Sequence, residues 1–287
     1  MSPASPIWMR RLKQQLKPTV LRGRRWWART RHAYDVQALI ACVRTLGIEA
    51  GDCVLLHSGF EHGSGYTGSP GSVIDGLLEL LGPEGHLLMM SMPYRGASEL
   101  YAASDPLFDV RRTPSAVGLL SEILRRRDGV LRSLSPLHPV LAHGPLAAWL
   151  VSDHEQFAYS CGSGTPFARL LGLAGKFLFL DAPYGALTFM HHVEDHYRTR
   201  LPVELYAPQA ARMRLRDYAG RERVVAQYFF SAEARARRHF TPIEQTLQRA
   251  GQLRHARVGN SRLACVGAVD VMGCAGELLA AGTGFYR

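Results

Sequence analysis

No run of about eighteen or more uncharged apolar residues occurs in the sequence, the minimum for a helix that crosses a bilayer. The N-terminus also lacks the short apolar stretch and small-residue cleavage site of a secretory signal, so a cytoplasmic location is expected. There is no Cys-x-x-Cys pair: Cys42, Cys53, Cys161, Cys265 and Cys274 are odd in number and widely spread. That pattern excludes a zinc knuckle or a dithiol redox motif and reads as buried, reduced thiols. A Gly-x-Ser-x-Gly elbow is missing, which disfavours an α/β-hydrolase. No internal repeat or low-complexity tract interrupts the chain.

Acidic residues are missing from one place in particular. Residues 1–34 carry nine Lys or Arg, from Arg10 to Arg31, and no Asp or Glu. Setting those nine aside from the 34 basic residues leaves 25 against 24 acids, so the net charge of +10 belongs to an extension and residues 35–287 are nearly neutral. A phosphate-tracking groove across the body is not supported, and no nucleic-acid partner is expected. The extension holds Trp8, Trp26 and Trp27, with Trp8, Leu12 and Leu16 at helical spacing. This composition suits an interfacial helix drawn to anionic lipid at the inner face of the membrane, or a solvated basic tail whose aromatics pack on the domain. Pro18 breaks the segment either way.

What remains is 253 residues of ordinary globular composition within a chain that is 47% hydrophobic and 20% charged, enough for one large domain. From Asp35 onward, short β-rich runs alternate with helical patterns, the mark of an α/β domain with a mostly parallel sheet. Helices are expected from Asp35 to Leu46, Ser72 to Leu81, Ser115 to Arg126, Pro145 to Val151, Thr188 to Tyr197, after Thr241-Pro242, and from Val269 to Ala281. Strands are expected at Cys53–His57, His86–Met90 and Lys176–Asp181, between Val203 and Phe230 with a turn at Tyr218-Ala219-Gly220, and near Leu253 and Arg262. Ligands of open α/β sheets sit where strands deliver their carboxyl ends, so the loops after His57, Met90 and Asp181 are the places to look.

The strongest local signal is the stretch from Asp181 to Glu194, a strand leading through a tight loop into a helix. Thr188, His191 and Glu194 are spaced i, i+3 and i+6, so on a helix adjacent pairs touch and an acid can hold a histidine in one orientation. Amide formation from a thioester needs such a pair, because an ammonium must lose a proton to become a nucleophile. Histidine titrates nearest the working pH, and a carboxylate raises its basicity and fixes its tautomer. The helix N-terminus and the Thr188 hydroxyl are expected to stabilise the oxyanion. The alternative is an amphipathic helix with ordinary polar residues on its exposed face.

Four further segments accompany Thr188-x-x-His191-x-x-Glu194 in order. They are Val54-Leu-Leu-His-Ser58 with a Gly-rich loop and Leu80-Leu-Gly-Pro-Glu-Gly85; Phe108 to Glu122; Arg132-Ser133 with His138; and Gly164 to Leu170 with Gly175-Lys176. Together they resemble the aminoglycoside 3-N-acetyltransferases from about Asp35 to the end. The resemblance implies a three-layer α/β/α sandwich with a mostly parallel mixed sheet. It also implies acetyl coenzyme A as cosubstrate without a metal, His191 and Glu194 as the catalytic pair, and coenzyme A contacts from His57, Ser58, Gly59 and the Ser115 region. Beside it, Ser69-Pro70-Gly71-Ser72 opens a helix whose N–H groups suit pyrophosphate or pantetheine oxygens, and Gly63, Gly65, Gly68 and Gly71 allow close backbone approach. Two departures concern the acceptor. Gly185-Ala186 stands where family members commonly carry Asp or Asn, and Ser135 stands in place of the first histidine of Ser-x-His-Pro-x-His. The acceptor is thus expected to be a primary amine of an aminoglycoside or of an amino sugar.

Rival readings exist. Gly63-Ser-Gly-Tyr-Thr-Gly68 satisfies the dinucleotide pattern but lies several residues beyond its strand, with no acid ending the next one. His192 and His196 are spaced for two zinc ligands, with His138, His154 or Cys161 as a third, which would make a hydrolase. A membrane-associated binding module with a vestigial site is the non-enzymatic alternative. Direct transfer in a ternary complex is expected over a covalent acyl-enzyme, for which Cys161 would be the nucleophile.

Overall fold

A computed structural model describes residues 27, 28, 30–60 and 64–287. The extension up to Trp26, with Trp8, and Gly63 of the glycine loop lie outside the described residues. Packing begins before Asp35, since Ala28 and Tyr34 are buried and the Tyr34 hydroxyl meets Ser261 Oγ at 2.6 Å.

The elements run α1 (Val36–Thr45), β1 (Cys53–Ser58), α2 (Pro70–Leu81), β2 (His86–Met90), α3 (Ser98–Ala103), β3 (Leu107–Asp109) and α4 (Leu119–Arg125). There follow β4 (Leu131–Arg132), β5 (Val140–His143), α5 (Ala147–Val151), α6 (Pro166–Gly172), β6 (Lys176–Leu180), α7 (Met190–His196), β7 (Ala211–Arg216) and β8 (Glu222–Gln227). The chain ends with α8 (Ala232–Arg237), α9 (Thr241–Arg249), β9 (Arg254–Val258), β10 (Ser261–Gly267) and α10 (Ala268–Ala280). Local chemistry sets several of these bounds. The Asp35 side chain accepts from Ala38 N–H at 2.9 Å to start α1, and Ser69 caps α2 with Pro70 in its first turn. The fourth helix begins at Leu119, later than expected, because Pro114 and Gly118, whose φ is 152°, hold the preceding loop out of helical geometry.

Seven strands form the main sheet in the order β4-β5-β2-β1-β6-β10-β9. The sheet is mixed. Parallel pairing is confined to β2, β1 and β6 at its centre, and both flanks are antiparallel. Alternation along the strands splits the core. Cys53, Leu55, Leu88, Phe177 and Phe179 face one layer of helices, built from α5, α6, α7, α9 and α10, while Val54, Leu56, Leu87 and Leu178 face α1, α2 and α4. Burial on both faces is why these strands read as continuous apolar runs. A separate three-stranded sheet, β3-β7-β8, covers a small core of Phe108, Leu137, Met213, Leu215 and Val225. Its β7–β8 hairpin turns at Asp217–Gly220, as the Tyr218-Ala219-Gly220 signal predicts.

The central strands bring the expected loops together at one edge. Gly59 N–H donates to Leu180 O at 2.9 Å, and Ala116 N–H donates to Met92 O at 2.8 Å. The β6 strand stops one residue short of expectation, because Asp181 turns into the left-handed region at φ 54°. Its carboxylate accepts from Arg262 N–H and Ser261 Oγ, both at 2.8 Å, which fixes the start of the loop into α7. Arg132 lies over Phe108 with its guanidinium 4.6 Å from the ring centroid, and donates to the carbonyls of Thr113 and Ser91. It thereby ties the Ser115 loop to the end of β2.

Phe177 is fully buried on the central parallel strand β6, facing the layer that holds α7. Replacing it by Ala is expected to cost about 3–5 kcal/mol, read as a lower urea midpoint at unchanged slope. A loss under about 1 kcal/mol would show that this layer is not tightly packed.

Candidate active site

The seven-residue helix α7 is buried on most of its circumference. Met190 and Val193, with Phe189 just before them, pack into the core layer, and His192 Nδ1 donates to Cys161 O at 2.8 Å. His191 and Glu194 occupy the remaining face. Thr188 does not extend that helix, as expected from the spacing, but stands in the turn before it, buried, with its carbonyl accepting from His191 N–H at 3.0 Å. The first N–H groups of the helix are consumed locally: Met190, His191 and His192 donate to the carbonyls of Leu187, Thr188 and Phe189 at 3.1, 3.0 and 2.9 Å. Contrary to expectation, none of these three N–H groups is free to stabilise an oxyanion. Among the described residues no protein group bonds the Thr188 hydroxyl, which leaves it as the donor at that place.

Glu194 is fully buried, and each of its oxygens is used. Oε2 accepts from His191 Nδ1 at 2.9 Å, and Oε1 accepts from Arg238 Nε at 2.7 Å and from the Tyr286 hydroxyl. Burial alone would raise its pKa, but the His191 hydrogen bond and the charges of His191 and Arg238 outweigh that and hold the carboxyl below its ordinary value. With Nδ1 turned to Glu194, the Nε2 edge of His191 is the one available to a ligand; the His191 side chain is 21% exposed.

Two cavities meet at this imidazole. One, of about 500 Å³, is walled by Tyr184–Thr188 and by Phe240, Thr241 and Glu244; the other, of about 430 Å³, by Tyr94, Glu99, Phe230 and Arg235 among others. Both are lined by Met92, His138, His191 and Arg238. The His191 ring lies 4.5 Å from Phe230 and 5.8 Å from His138, centroid to centroid. His138 is buried, its Nδ1 2.7 Å from Ser160 Oγ, and burial followed by the charges of His191, His154 and Arg238 keeps it well below its ordinary pKa. It is both a hydrogen-bonded interior histidine and a wall of the site.

The family model described as aminoglycoside 3-N-acetyltransferase matches residues 55–280. The chain belongs to this family. Aminoglycoside N(3)-acetyltransferase VIII of Streptomyces fradiae is 32% identical over 171 residues, 54% of this chain and 59% of that enzyme. The aligned part thus spans about three fifths of that relative's length. Aminoglycoside N(3)-acetyltransferase IX of Micromonospora chalcea is 29% identical over 234 residues, 75% of this chain and 82% of that one. The crystal structure of aminoglycoside acetyltransferase AAC(3)-Xa superposes with a TM-score of 0.74 at 26% identity, over 91% of this chain and 95% of the other.

Within this 3-N-acetyltransferase fold, the six residues expected to hold the cofactor gather around the strand ends, but none lines the two cavities at His191. The His57 ring is buried and stacked 5.3 Å from Phe179, against the core. A Cβ on Gly59 would lie 2.3 Å from Asp181 O, and one on Gly65 would lie 2.0 Å from His32 O. Both glycines are thus demanded by the chain's own close approaches. The Ser72 hydroxyl is engaged with Ser69 O at 2.7 Å and the Tyr66 hydroxyl at 2.6 Å. Ser115 sits with its N–H on Glu122 Oε2 at 2.8 Å and its hydroxyl on Ser121 at 2.7 Å, and Ser58 accepts from Phe60 N–H at 3.2 Å. Of the six, Ser115 adjoins Ala116, whose N–H donates to the carbonyl of the cavity residue Met92 at 2.8 Å.

Three histidines of the zinc reading, His138, His154 and His192, are hydrogen-bonded otherwise. His192 Nδ1 is on Cys161 O, while His154 uses both ring nitrogens on Ser133 Oγ and Ser160 O, at 2.7 and 2.8 Å. Ser135, in place of a histidine, exchanges hydrogen bonds with buried Gln227 of β8. Sequence reasoning missed Arg238 and Tyr286. They lie 44 and 92 positions from Glu194, Arg238 directly after an Arg-rich helix that reads as solvated, and no local spacing points to either.

Burial lowers the His57 pKa from its ordinary 6.5 to about 4, and Nε2 has no partner. The unfolded chain takes up this proton near 6.5 while the folded one waits until about 4, so stability present above 6.5 is lost as pH falls through that window. The loss from this group is about 1.4 kcal/mol per pH unit. His57→Leu is expected to shrink the gap between urea midpoints at neutral pH and at about pH 4.5; an unchanged gap would place the acid sensitivity elsewhere.

Proposed function

We propose that this protein transfers an acetyl group from acetyl coenzyme A to a primary amine of an aminoglycoside or amino-sugar acceptor, with residues 35–287 as the acyltransferase domain. The observation that carries this reading is the His191–Glu194 pair placed where two cavities join. One cavity admits a pantetheine arm and the other an amine, and the two ligands meet at a single imidazole. Membership of the aminoglycoside 3-N-acetyltransferase family supports both donor and acceptor class.

The cosubstrate supplies an activated carbonyl whose C–S bond breaks as the new C–N bond forms. His191 Nε2 takes the proton that the attacking nitrogen must lose, and the Glu194 carboxylate holds Nδ1–H so that Nε2 stays an acceptor until then. The imidazolium formed is stabilised by the carboxylate and gives its proton to the leaving sulfur. The Thr188 hydroxyl, lining the same cavity, donates to the developing oxyanion. Neutral His138 walls the site without adding a cation beside the incoming ammonium. Cys161 is buried, and burial, followed by the Asp195 and Glu194 charges, raises its thiol well above its ordinary pKa, so no thiolate stands ready for an acyl-enzyme.

Thiol release from acetyl coenzyme A, measured with a panel of aminoglycosides and amino-sugar nucleotides, tests this. His191→Ala should lower kcat/KM by about a hundred- to ten-thousand-fold, and Cys161→Ala should leave it within about twofold. Full activity in the first variant would remove the proposed base.

For residues 1–34, nine basic side chains, three tryptophans and no acid support peripheral contact with an anionic lipid surface. Among the described residues no helix is long and apolar enough to cross a membrane. Sedimentation with anionic vesicles should weaken as salt rises and vanish when residues 1–26 are removed. Recovery in the pellet that ignores both changes would make the arm a solvated tail.

A further inference from the structure

The buried carboxylate of Glu194 is held by more than a histidine needs. Its Oε2 serves His191 alone, while Oε1 receives Arg238 Nε and the Tyr286 hydroxyl. These two donors arrive as one unit. Arg238 and Tyr286 face each other in an antiparallel bridge, flanked by His239 N–H on Phe285 O at 2.9 Å and Arg287 N–H on Arg237 O at 2.8 Å. Fully buried Phe285 anchors this short ladder, and the Arg238 guanidinium lies between Phe230 and Phe240, at 4.8 and 5.6 Å from their centroids. The result is a carboxylate whose rotamer is fixed at one oxygen so that the other is aimed at the imidazole.

We propose that Arg238 and Tyr286 are positioning residues for His191, acting through Glu194: they fix the carboxylate and take up part of its negative charge, and so set the pH range in which the imidazole serves as a base. The proposal rests on the acetyl-transfer reading for its kinetic meaning, and on the hydrogen-bond geometry alone for its electrostatic one. Other charged and titratable groups face the pair: Glu99 and Arg235, an ion pair of their own, line one cavity with His191, and His239 and Glu244 line the other. From the loop before β5 comes His138, kept neutral chiefly by burial; from the segment before α6 comes the protonated Cys161 thiol. On α7 itself, Asp195 is engaged by the Tyr206 hydroxyl at 2.8 Å and lies 3.9 Å from Arg198. Among the described residues Arg238 is thus the permanent cation in contact with Glu194.

The sign follows. Removing the Tyr286 hydroxyl returns negative charge to Glu194, which favours the imidazolium, so the His191–Glu194 pair takes up its proton at higher pH. In Tyr286→Phe, nearly isosteric, the acid limb of the kcat/KM profile should move up by about half to one pH unit, with the plateau largely kept. Arg238→Gln, which removes a full charge, should move it further. The His191 ring resonance, followed by NMR titration of each variant beside wild type, should move in the same direction and needs no turnover. Thermal melts show whether Arg238→Gln remains folded; if it does not, Tyr286→Phe decides.

A limb and a ring titration that stay in place, whatever happens to stability or plateau, would overturn the proposal and leave both residues as packing and charge neutralisation only. If no amine supports thiol release in wild type while the ring titration still moves upward in Tyr286→Phe, the acetyl-transfer reading fails and the coupling stands.

Discussion

A carboxylate taken wholly out of water must be met by donors on every side, and the centre of this molecule is arranged around that demand at Glu194. Leaving such a group with a missing partner costs several kcal/mol, so the histidine, the arginine and the tyrosine that surround it are fixed relative to one another as firmly as the core itself. The imidazole and the guanidinium both line the two cavities, and of these the imidazole is the group that can take up a proton. A group that is rigid on one edge and accessible on the other is what proton transfer to a bound amine requires.

Sequence patterns were legible wherever the physics is local. The Asp35 and Ser69 caps, the apolar runs of β1, β2 and β6, the hairpin turn near Gly220 and the i, i+3 spacing of His191 and Glu194 are all decided within a few residues, and the structure has them where the patterns point. The loops expected at the carboxyl ends of the central strands do converge. What the patterns could not carry is contact between distant segments. The three-stranded sheet needs β3 to pair with β7 about a hundred residues later, and the grip on Glu194 comes from residues with no spacing relation to it. Glycines and small polar residues are ambiguous for a related reason. Gly59, Gly65 and Ser72 satisfy constraints of the chain's own backbone that resemble, in one dimension, the needs of a bound cofactor.

Several residues of the segments that carry the family resemblance brace the loops around the site. Arg132 and Ser133 form a buried relay: the guanidinium binds loop carbonyls, and the Ser133 hydroxyl joins His154 to Val140 N–H at 2.7 and 2.9 Å. Burial lowers the Arg132 pKa to about 10, which leaves it charged across the range in which the site works. The antiparallel flanks of the sheet have the same character. They carry no site residue of their own, yet β10 clamps Asp181, from which the loop to α7 departs.

That loop is pinned at both ends. Asp181 is locked to β10 by hydrogen bonds to its carboxylate and from its own N–H, and at the far end the carbonyls of Leu187, Thr188 and Phe189 close the first turn of the helix. Between them, Tyr184 is buried while Gly185 and Ala186 are exposed and form part of a cavity wall. Side chains can therefore be exchanged at those two positions without shifting His191, which makes the pair an interchangeable panel: under the proposed acetyl transfer, selectivity among amines is free to drift there while the His191–Glu194 pair behind it stays in place.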